Sequence, residues 1–568
     1  MAKYNSMDEV PKRIKKNLAK YFTNVGGENF AIRGLPSELT GALLARYSRA
    51  STGLQLTYIN EFADNNGKPS AEKGSELMDR VLNAFGDDSV GELEGAHIGI
   101  ENISQLLTKE IEDRRIGGSP IEQSTRYVKY DKKDAPIDKK DGDGRWRYLR
   151  VKEIMQSGLG DKFEAVNNGA FEVYSEGIGK LQDYFKQQFP RNKFQIEVER
   201  FGQKLKVYEH ELIDETEKKA FANAYAFTIR CAALDVGRCV LPASTLTHMG
   251  IFGNGRFYTN LLTHLWSSEL SEASERADAL EIELNKVIPT FIKRGRENIK
   301  IYGVAEKRRE INRNMQQIAD KLFDGIIPME DYVTLIPRTD YMDEVVSSAL
   351  YSYSKVSLSQ INEVVSKLFY EEKEKILKTY AGRRDSRRDR TGRGLEAGYP
   401  IVFDLLSGFA EYRDLERHRI LTQQRQDLST DLGFIIPPEI IEIGLEEKVK
   451  EVESRMSDLN SDLKRVGLKE VSQYATLFNH RMRFMLGMNL RENQHLEELR
   501  TGPAGHFSYR AMTQEMARQL IAKYPWTEIF LEYVDYSDPN NKISRANEQA
   551  KIARKNVDKN VDGSIDLE

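Results

Sequence analysis

Apolar residues recur at helical spacing over long parts of this chain. The pattern predicts helices within 35–60, within 75–112 and through 220–233, after a basic and partly helical lead-in at 1–34. A Gly-Asp-Asp-Ser break at 86–89 interrupts the second of these stretches, and its polar residues can cap the segment that follows. Helices are therefore expected along much of the N-terminal part of the chain.

Four other segments differ from this pattern. Residues 191–218 alternate charged and apolar positions, which predicts an added β-hairpin. Residues 131–165 are polar and rich in Gly, Asp and Lys, which indicates an insertion or a long loop. Residues 301–330 predict a charged helical connector, and the tail at 537–568 is charged, poor in large apolar residues and expected to be disordered.

The sequence pattern starts again after the connector. Three pairs of segments resemble each other: Leu35-Pro36 with ARYSRAS (45–51) and Ile336-Pro337 with YSYSKVS (351–357); 238–265 and 473–500; Pro289-Thr290-Phe291 and Pro525-Trp526-Thr527. Self-similarity over such a length implies duplication. We therefore predict two related domains, at 35–300 and 331–536.

Composition limits the possible classes of protein. The 568 residues carry a formal net charge of −4 and are 40% hydrophobic and 30% charged, as in a soluble multidomain protein. No apolar run is long enough to span a bilayer, and the near-neutral charge gives no support for nucleic-acid binding. The N-terminus lacks an apolar signal core, and Cys231 and Cys239 do not form a C-x-x-C pair. We therefore expect a cytoplasmic protein without a disulfide framework or a metal site.

The stretch 114–127, RRIGGSPIEQSTRY, carries the most informative polar residues. Its Gly-Gly-Ser-Pro turn lets the backbone approach a ligand closely. If the chain after the turn is extended, Glu122, Ser124 and Arg126 lie on one face, because side chains alternate along a strand. They suit a ligand with a polar ring and an anionic group, since a guanidinium binds phosphate in a fork. A polar turn with a surface ion pair is the alternative explanation.

This stretch resembles the signature of the flavin-dependent thymidylate synthases, R-H-R-x-x-S-x-N-E-x-S-x-R-Y. Six residues match it in register: Arg114, Ser119, Glu122, Ser124, Arg126 and Tyr127. Other signature positions are occupied by Arg115, Ile116 and Ile121. In that family the opening triplet serves the flavin, and the later Glu, Ser and Arg hold the uridylate. The resemblance implies that this copy binds nucleotide and has lost its flavin triplet.

The block 238–265 resembles a second motif of the same family. That motif begins with a phosphate-binding Arg and a V-L-P turn, continues to N-x-R-x-x-x-N at the flavin, and ends in an Arg that reaches the nucleotide. The matching residues are Arg238, Val240-Leu241-Pro242, Asn254, Arg256 and Asn260, and the final Arg position is Leu265. Taken alone, the block also fits a helix with a Gly-Asn-Gly turn and a surface Arg.

The second copy has lost a different set of residues. It keeps the triplet and the final Arg as Arg417, His418, Arg419 and Arg500. Residues that stand in register with first-copy positions are Arg425, Asp427 and Ser429 (for Glu122, Ser124 and Arg126), Gln473 (for Arg238), Asn489, Arg491 and His495 (for Asn254, Arg256 and Asn260). Family sites take residues from more than one subunit, so the resemblance implies one composite site between the two copies.

The resemblance implies an FAD-dependent methyltransferase that methylates dUMP reductively at C5 for dTMP biosynthesis. Methylenetetrahydrofolate gives the carbon, and reduced flavin, replenished by NADPH, gives the hydride. The implied catalytic residues are Glu122, Ser124 and Arg126, which with Arg238 and Arg500 also bind dUMP. The implied FAD-binding residues are Arg417, His418, Arg419, Asn254, Arg256, Asn260, Ser51 and Glu94. Ser124 is not expected to be a covalent nucleophile, because no general base stands beside it in sequence.

The implied fold is α+β, with a mixed or antiparallel sheet flanked by long helices in each copy and the copies packed as a pseudo-dimer. Because the family is tetrameric, a tandem chain is expected to form a homodimer. The family's flavin-site His is Ser89 or Gly392 here, and the Gln before the triplet is Ile111 or Asp414. These departures leave two alternatives: a flavoprotein that modifies another pyrimidine nucleotide, and a decayed nucleotide-binding or scaffold protein without flavin.

Overall fold

The computed structural model of the chain describes residues 4–48, 50–70, 91–113, 116–134, 144–200, 203–301, 303–307, 309, 313, 330–336, 341–351, 364–381, 395 and 401–546. Several predicted features lie outside these residues: the break at 86–89, Arg114 and Arg115, most of the connector 301–330, residues 352–357, Gly392 and the tail beyond 546. The chain divides into two compact units, a first unit from Met1–Gln123 and Leu246–Ile327 and a second unit from Ser124–Thr245 and Pro328–Glu568.

Helices and short strands alternate along the chain. The strands are β1 (Gly95–Ser104), β2 (Gly118–Glu122), β3 (Gln195–Arg200), β4 (Gln203–Tyr208), β5 (Leu246–Asn254), β6 (Val333–Ile336), β7 (Ile401–Gly408), β8 (Leu421–Arg425) and β9 (Arg481–Met488). The helices are α1 (Lys12–Leu18), α2 (Ser37–Tyr47), α3 (Leu54–Thr57), α4 (Gln105–Glu112), α5 (Lys152–Gln156), α6 (Gly160–Gln188), α7 (Glu215–Gly237), α8 (Gly255–Ser267), α9 (Ser271–Leu284), α10 (Pro289–Lys300), α11 (Tyr341–Tyr351), α12 (Tyr370–Ala381), α13 (Phe409–Leu415), α14 (Pro438–Glu442), α15 (Glu446–Arg465), α16 (Leu490–Arg500) and α17 (Phe507–Lys523). The predicted α+β class is confirmed.

Small antiparallel sheets organise both units. In the first unit the strand order is β1-β5-β2, and in the second unit it is β6-β7-β9-β8, with a separate β3-β4 hairpin. That hairpin confirms the prediction for 191–218, and α7 confirms the helix predicted through 220–233. The first unit also contains a core in which Leu18 and Phe22 of the lead-in pack with Leu43 of α2.

The two sheets repeat each other in register. In the first unit Gly118 pairs with Gly253 and Glu122 with Met249. In the second unit Leu421 pairs with Met488 and Arg425 with Phe484. The alignment of 238–265 with 473–500 makes these pairs equivalent, residue by residue. The helix that follows the sheet strand starts the same way in both copies, because Asn254 and Asn489 each cap it with a side-chain oxygen. The predicted duplication is therefore visible in strand order, strand register and helix capping.

Equivalent segments of the two copies also contact each other inside the second unit. The Ala243 N–H donates to the Thr476 carbonyl at 2.8 Å, and the Phe478 N–H donates to the Leu241 carbonyl at 2.9 Å. In the alignment Leu241 corresponds to Thr476 and Ala243 to Phe478, so each hydrogen bond becomes the other when the copies are exchanged. Such reciprocity is the property of an isologous contact.

Two segments differ from the sequence expectation. The polar range 131–165 contains α5 and the start of α6, because Ile154 and Phe163 bury an apolar face that polar composition conceals. Residues 537–546 of the tail pack against the second unit, since the Arg510 guanidinium donates to the hydroxyls of Ser537 and Ser544. Within the described part of the chain, none of the helices is both long and apolar enough to cross a membrane.

Candidate functional site

Ser124, the first candidate site residue of the second unit, lies in a tight turn. β2 ends at Glu122, and the Ser124 hydroxyl accepts a hydrogen bond from the Arg126 backbone N–H at 3.2 Å. The Ser124 carbonyl accepts from the Val128 N–H at 3.0 Å. A serine that binds the backbone two residues ahead favours a turn over strand pairing. The extended conformation that would place Glu122, Ser124 and Arg126 on one face of a strand is therefore not adopted, and the turn of the alternative explanation is present.

Asp235, near the end of α7, binds two buried arginines. Arg126 donates from Nε and Nη2 to Oδ1 and Oδ2 of Asp235, at 2.8 and 3.0 Å. Arg545 donates from Nη2 to the same Oδ2 at 2.6 Å. Burial favours the neutral forms, but the attraction between these charges outweighs it. The pKa of Asp235 is therefore lowered and that of Arg126 is raised well above its ordinary value. Both Asp235 and Arg126 are therefore ionised.

Arg238 carries buried N–H groups that the protein does not satisfy. The residue is 2% exposed, and its Nη2 lies 3.7 Å from Oδ2 of Asp414 on α13, too far for a hydrogen bond. Among the described residues, neither Nε nor Nη2 of Arg238 has a hydrogen-bond partner. Burial lowers the pKa of Arg238, which Asp414 partly opposes. A buried donor without a partner costs about 1–3 kcal/mol, and more when charged, so these groups are able to donate to an anion.

His506 and Tyr509, at the start of α17, contact Asp235 and Arg126 of this buried cluster. His506 Nε2 donates to the Asp235 carbonyl at 3.1 Å, and its Nδ1 accepts from the Ser508 N–H at 3.2 Å. Burial, followed by the charge of Arg238, holds the pKa of His506 well below its ordinary value, so this imidazole is neutral. The Tyr509 hydroxyl accepts from Arg126 Nη1 at 3.3 Å.

His418, the central residue of the second-copy triplet, lies in a buried chain of hydrogen bonds. His418, 4% exposed, donates from Nδ1 to Glu492 at 2.8 Å and accepts at Nε2 from Arg500 Nε at 3.0 Å. An imidazole that accepts at one nitrogen and donates at the other is neutral. The Arg500 guanidinium carbon lies 5.9 Å from the centroid of the Tyr509 ring, where that of Arg126 lies at 5.8 Å. Arg417 and Arg419, on either side of His418, are exposed.

Glu122 is buried in the first unit with a lysine. Lys109 of α4, 0% exposed, contacts Glu122 at 3.0 Å and Glu112 at 2.7 Å. A buried ammonium needs such partners, because its charge loses hydration. Lys109 therefore fixes the position of the Glu122 carboxylate.

The other candidates of the first unit surround the start of α8. Asn254 accepts from the Phe257 N–H at 2.8 Å, and its own N–H donates to the Gly117 carbonyl at 3.0 Å. Gly117 has φ +82°, and a Cβ there would lie 2.8 Å from the Asn254 side chain, so the glycine turn serves this close approach. Arg256 pairs with Glu92 on the surface at 2.7 Å, and Asn260 is exposed.

Glu94 is a buried carboxyl without hydrogen-bond partners among the described residues. It is 4% exposed, and neither of its oxygens is paired. Burial, and then the nearby Glu38, raise the pKa of Glu94 to about 8. Ser51, which the resemblance assigns to the same cofactor, is exposed.

The structure therefore gathers part of the predicted site in the second unit: Arg126, Arg238, His418 and Arg500. Glu122, Ser51, Glu94, Asn254, Arg256 and Asn260 belong to the first unit. Sequence reasoning did not find Asp235, His506, Tyr509 or Arg545, and it named Asp414 only as a departure from the family. The available signal for Asp235 was its position three residues before Arg238, because this spacing places the two residues close together at the end of one helix.

Comparison with known proteins supports the resemblance. A sequence model of the family described as thymidylate synthase complementing protein matches residues 36–290 and again residues 334–526. A UPF0159 protein of Chlamydia pneumoniae is 33% identical over 545 residues, which cover 94% of this chain and 96% of that protein. A UPF0159 protein of Thermoplasma acidophilum is 28% identical over 507 residues, which cover 88% and 95% of the two chains.

Proposed function

Because the chain belongs to the thymidylate synthase complementing protein family, we propose that it is an FAD-dependent thymidylate synthase. The proposed reaction is the reductive methylation of dUMP at C5, with methylenetetrahydrofolate as the carbon donor and NADPH as the reductant. The second unit binds the nucleotide phosphate with residues of both copies. A cytoplasmic location is part of the proposal, and the two free, buried thiols Cys231 and Cys239 are consistent with it.

One observation carries this proposal. Arg126 and Arg238 come from two separate motifs of the first copy, and both contact buried carboxylates in one cluster that also includes Asp414 of the second copy. Arg126, Arg238 and Arg545 outnumber Asp235 and Asp414, and burial raises the pKa of Glu411, the third carboxyl near Arg238, which favours its neutral form. Arg238 also retains two buried donors without partners among the described residues. An excess of positive charge, together with guanidinium N–H groups that lack partners, suits the binding of a phosphate monoester.

The residues around the triplet are compatible with a flavin dinucleotide. Arg417 and Arg419 are exposed guanidinium groups two positions apart, which suits a diphosphate, whereas His418 is held internally by Glu492 and Arg500. Arg417 and Arg419 would hold the cofactor, and His418 would orient Arg500. Bound reduced FAD supplies the hydride, while the protein positions the substrate and stabilises charge on the pyrimidine carbonyls.

The proposal includes the arrangement of the copies. We propose that they pack as a pseudo-dimer about the reciprocal hydrogen bonds of Leu241, Ala243, Thr476 and Phe478, and that two chains form a homodimer. The support is the exchange symmetry of these hydrogen bonds.

Two measurements test the function. The visible spectrum of the purified protein with added FAD gives the flavin content per chain, and release of tritium from dUMP labelled at C5, with methylenetetrahydrofolate and NADPH, reports turnover. We expect about one flavin per chain and dUMP-dependent release. Arg238→Gln should weaken dUMP binding about 10- to 100-fold, because a charged hydrogen bond to phosphate is lost. Arg455→Gln, which removes an exposed arginine paired with Glu451 at 3.6 Å, is the control. A protein without flavin and without turnover would contradict the proposal.

One observation favours a second candidate function. Both ring nitrogens of His418 are engaged inside the protein, so this triplet offers the flavin fewer groups than the resemblance implies. A nucleotide-binding protein without flavin would keep the phosphate cluster and lose the redox reaction. Tight dUMP binding with no flavin at saturating FAD would support it.

A further inference from the structure

The segment Asp535–Ala546, here called the C-terminal arm, is held against the second unit. Gln514 donates from Nε2 to the carbonyls of Asp535 and Ser537 at 2.8 and 2.9 Å. Arg510, 1% exposed, donates to the hydroxyls of Ser537 and Ser544 at 2.9 and 3.1 Å. The arm lies beyond residue 526, where the match to the family ends.

The arm delivers Arg545 to the arginine cluster. Ser544, the residue before it, donates to the Pro503 carbonyl at 2.7 Å. Arg545 is 3% exposed, and its Nη2 donates to Oδ2 of Asp235 at 2.6 Å. Its Nη1 is buried and has no hydrogen-bond partner among the described residues, and the Cys231 thiol lies beside the same guanidinium. The arm therefore places a guanidinium beside the groups to which the nucleotide phosphate is assigned.

Neutralisation of Asp235 does not require this arginine. Arg126 already binds both oxygens of Asp235 in a complete fork. A second buried guanidinium adds one positive charge, and the desolvation of that charge is unfavourable unless another anion compensates it. Nη1 of Arg545 and the two unpaired nitrogens of Arg238 are guanidinium donors, from which phosphate oxygens readily accept hydrogen bonds.

We propose that Arg545 is a substrate-binding residue, which the C-terminal arm adds to the phosphate site, and that it contacts the 5′-phosphate of the nucleotide. This inference rests on the proposed nucleotide binding at Arg126 and Arg238. It predicts that Arg545 discriminates a nucleoside monophosphate from the nucleoside, and that the pyrimidine ring is recognised without it.

The test compares full-length wild type, Arg545→Gln and the surface control Arg455→Gln by calorimetric titration with dUMP, deoxyuridine and inorganic phosphate. We expect Arg545→Gln to weaken the binding of dUMP and of phosphate about 10- to 100-fold and to leave deoxyuridine unchanged, because one charged hydrogen bond is lost. A purely structural role would lower the unfolding temperature without this selectivity.

The outcomes separate this inference from the function on which it rests. If wild type binds dUMP and Arg545→Gln binds it equally well, or if dUMP and deoxyuridine weaken in parallel, the role of Arg545 is refuted while nucleotide binding stands. If wild type binds neither dUMP nor phosphate, both proposals fail. Should Arg545→Gln not fold, Arg545→Lys keeps the charge beside Asp235 but loses the guanidinium fork, and the same selective loss is expected with a smaller size.

Discussion

Asp235→Asn is the perturbation whose cost the structure defines best. Asp235 accepts three hydrogen bonds from Arg126 and Arg545, and all three residues are at most 7% exposed. Asparagine can retain one acceptor contact to Arg126, but it leaves two buried guanidinium groups without their shared counter-charge. Removing one member of a buried ion pair costs about 3–5 kcal/mol, and a retained hydrogen bond recovers about 1 kcal/mol. We therefore expect the free energy of unfolding of the second unit to fall by about 3 kcal/mol.

Tryptophan fluorescence during urea unfolding can report this loss. In a Trp266→Phe background the remaining tryptophans, Trp146 and Trp526, both belong to the second unit. The control is Asp404→Asn, because Asp404 contacts Arg483 at 2.6 Å in a more exposed pair, which should be worth about 0–1 kcal/mol. A loss for Asp235→Asn no larger than that of the control would refute the view that this carboxylate holds the cluster together.

Two further predictions concern other groups. Because the pKa of Glu94 is raised to about 8, by burial and then by Glu38, the folded state holds a proton that the unfolded state releases above the ordinary carboxyl range. Stability should therefore fall by up to about 1.4 kcal/mol per pH unit as the pH rises towards 8, and Glu94→Gln should flatten this part of a pH series of unfolding curves. Gly117→Ala should lower stability by about 2–3 kcal/mol in thermal unfolding, since φ is +82° and the new Cβ would meet the Asn254 cap. Gly158→Ala, with φ +80° and open space, should cost only about 1–2 kcal/mol, and equal losses would show that the contact with Asn254 is unimportant.

The duplication and much of the α+β fold could be predicted from the sequence, because their signals are local. Asn254 and Asn489 each cap the helix that directly follows them, so one aligned block predicts the same local structure twice. The turn at Ser124 also has a local signal, because a serine hydroxyl competes for nearby backbone N–H groups, whereas the alternation of polar residues there is compatible with a strand as well.

The site was harder to predict, because its key contacts join residues far apart in sequence. Arg126, Arg238 and Arg500 carried motif signals, and the structure places all three in the second unit. Arg545 carried no such signal, because the charged composition of the tail is the same whether this arginine is buried or exposed to solvent. Only the tertiary contact with Asp235 distinguishes it.

The reciprocal hydrogen bonds between Leu241–Ala243 and Thr476–Phe478 also bear on how such a chain can change. In a dimer of identical subunits, every substitution at an axis appears on both sides at once and must be tolerated twice. Here the two sides are encoded separately, so that Pro242 faces Leu477 and the chain has Arg238 in one copy but Gln473 in the other. Each segment can therefore mutate independently, so that one can acquire a residue such as Arg238 while the other keeps its part of the reciprocal hydrogen bonds.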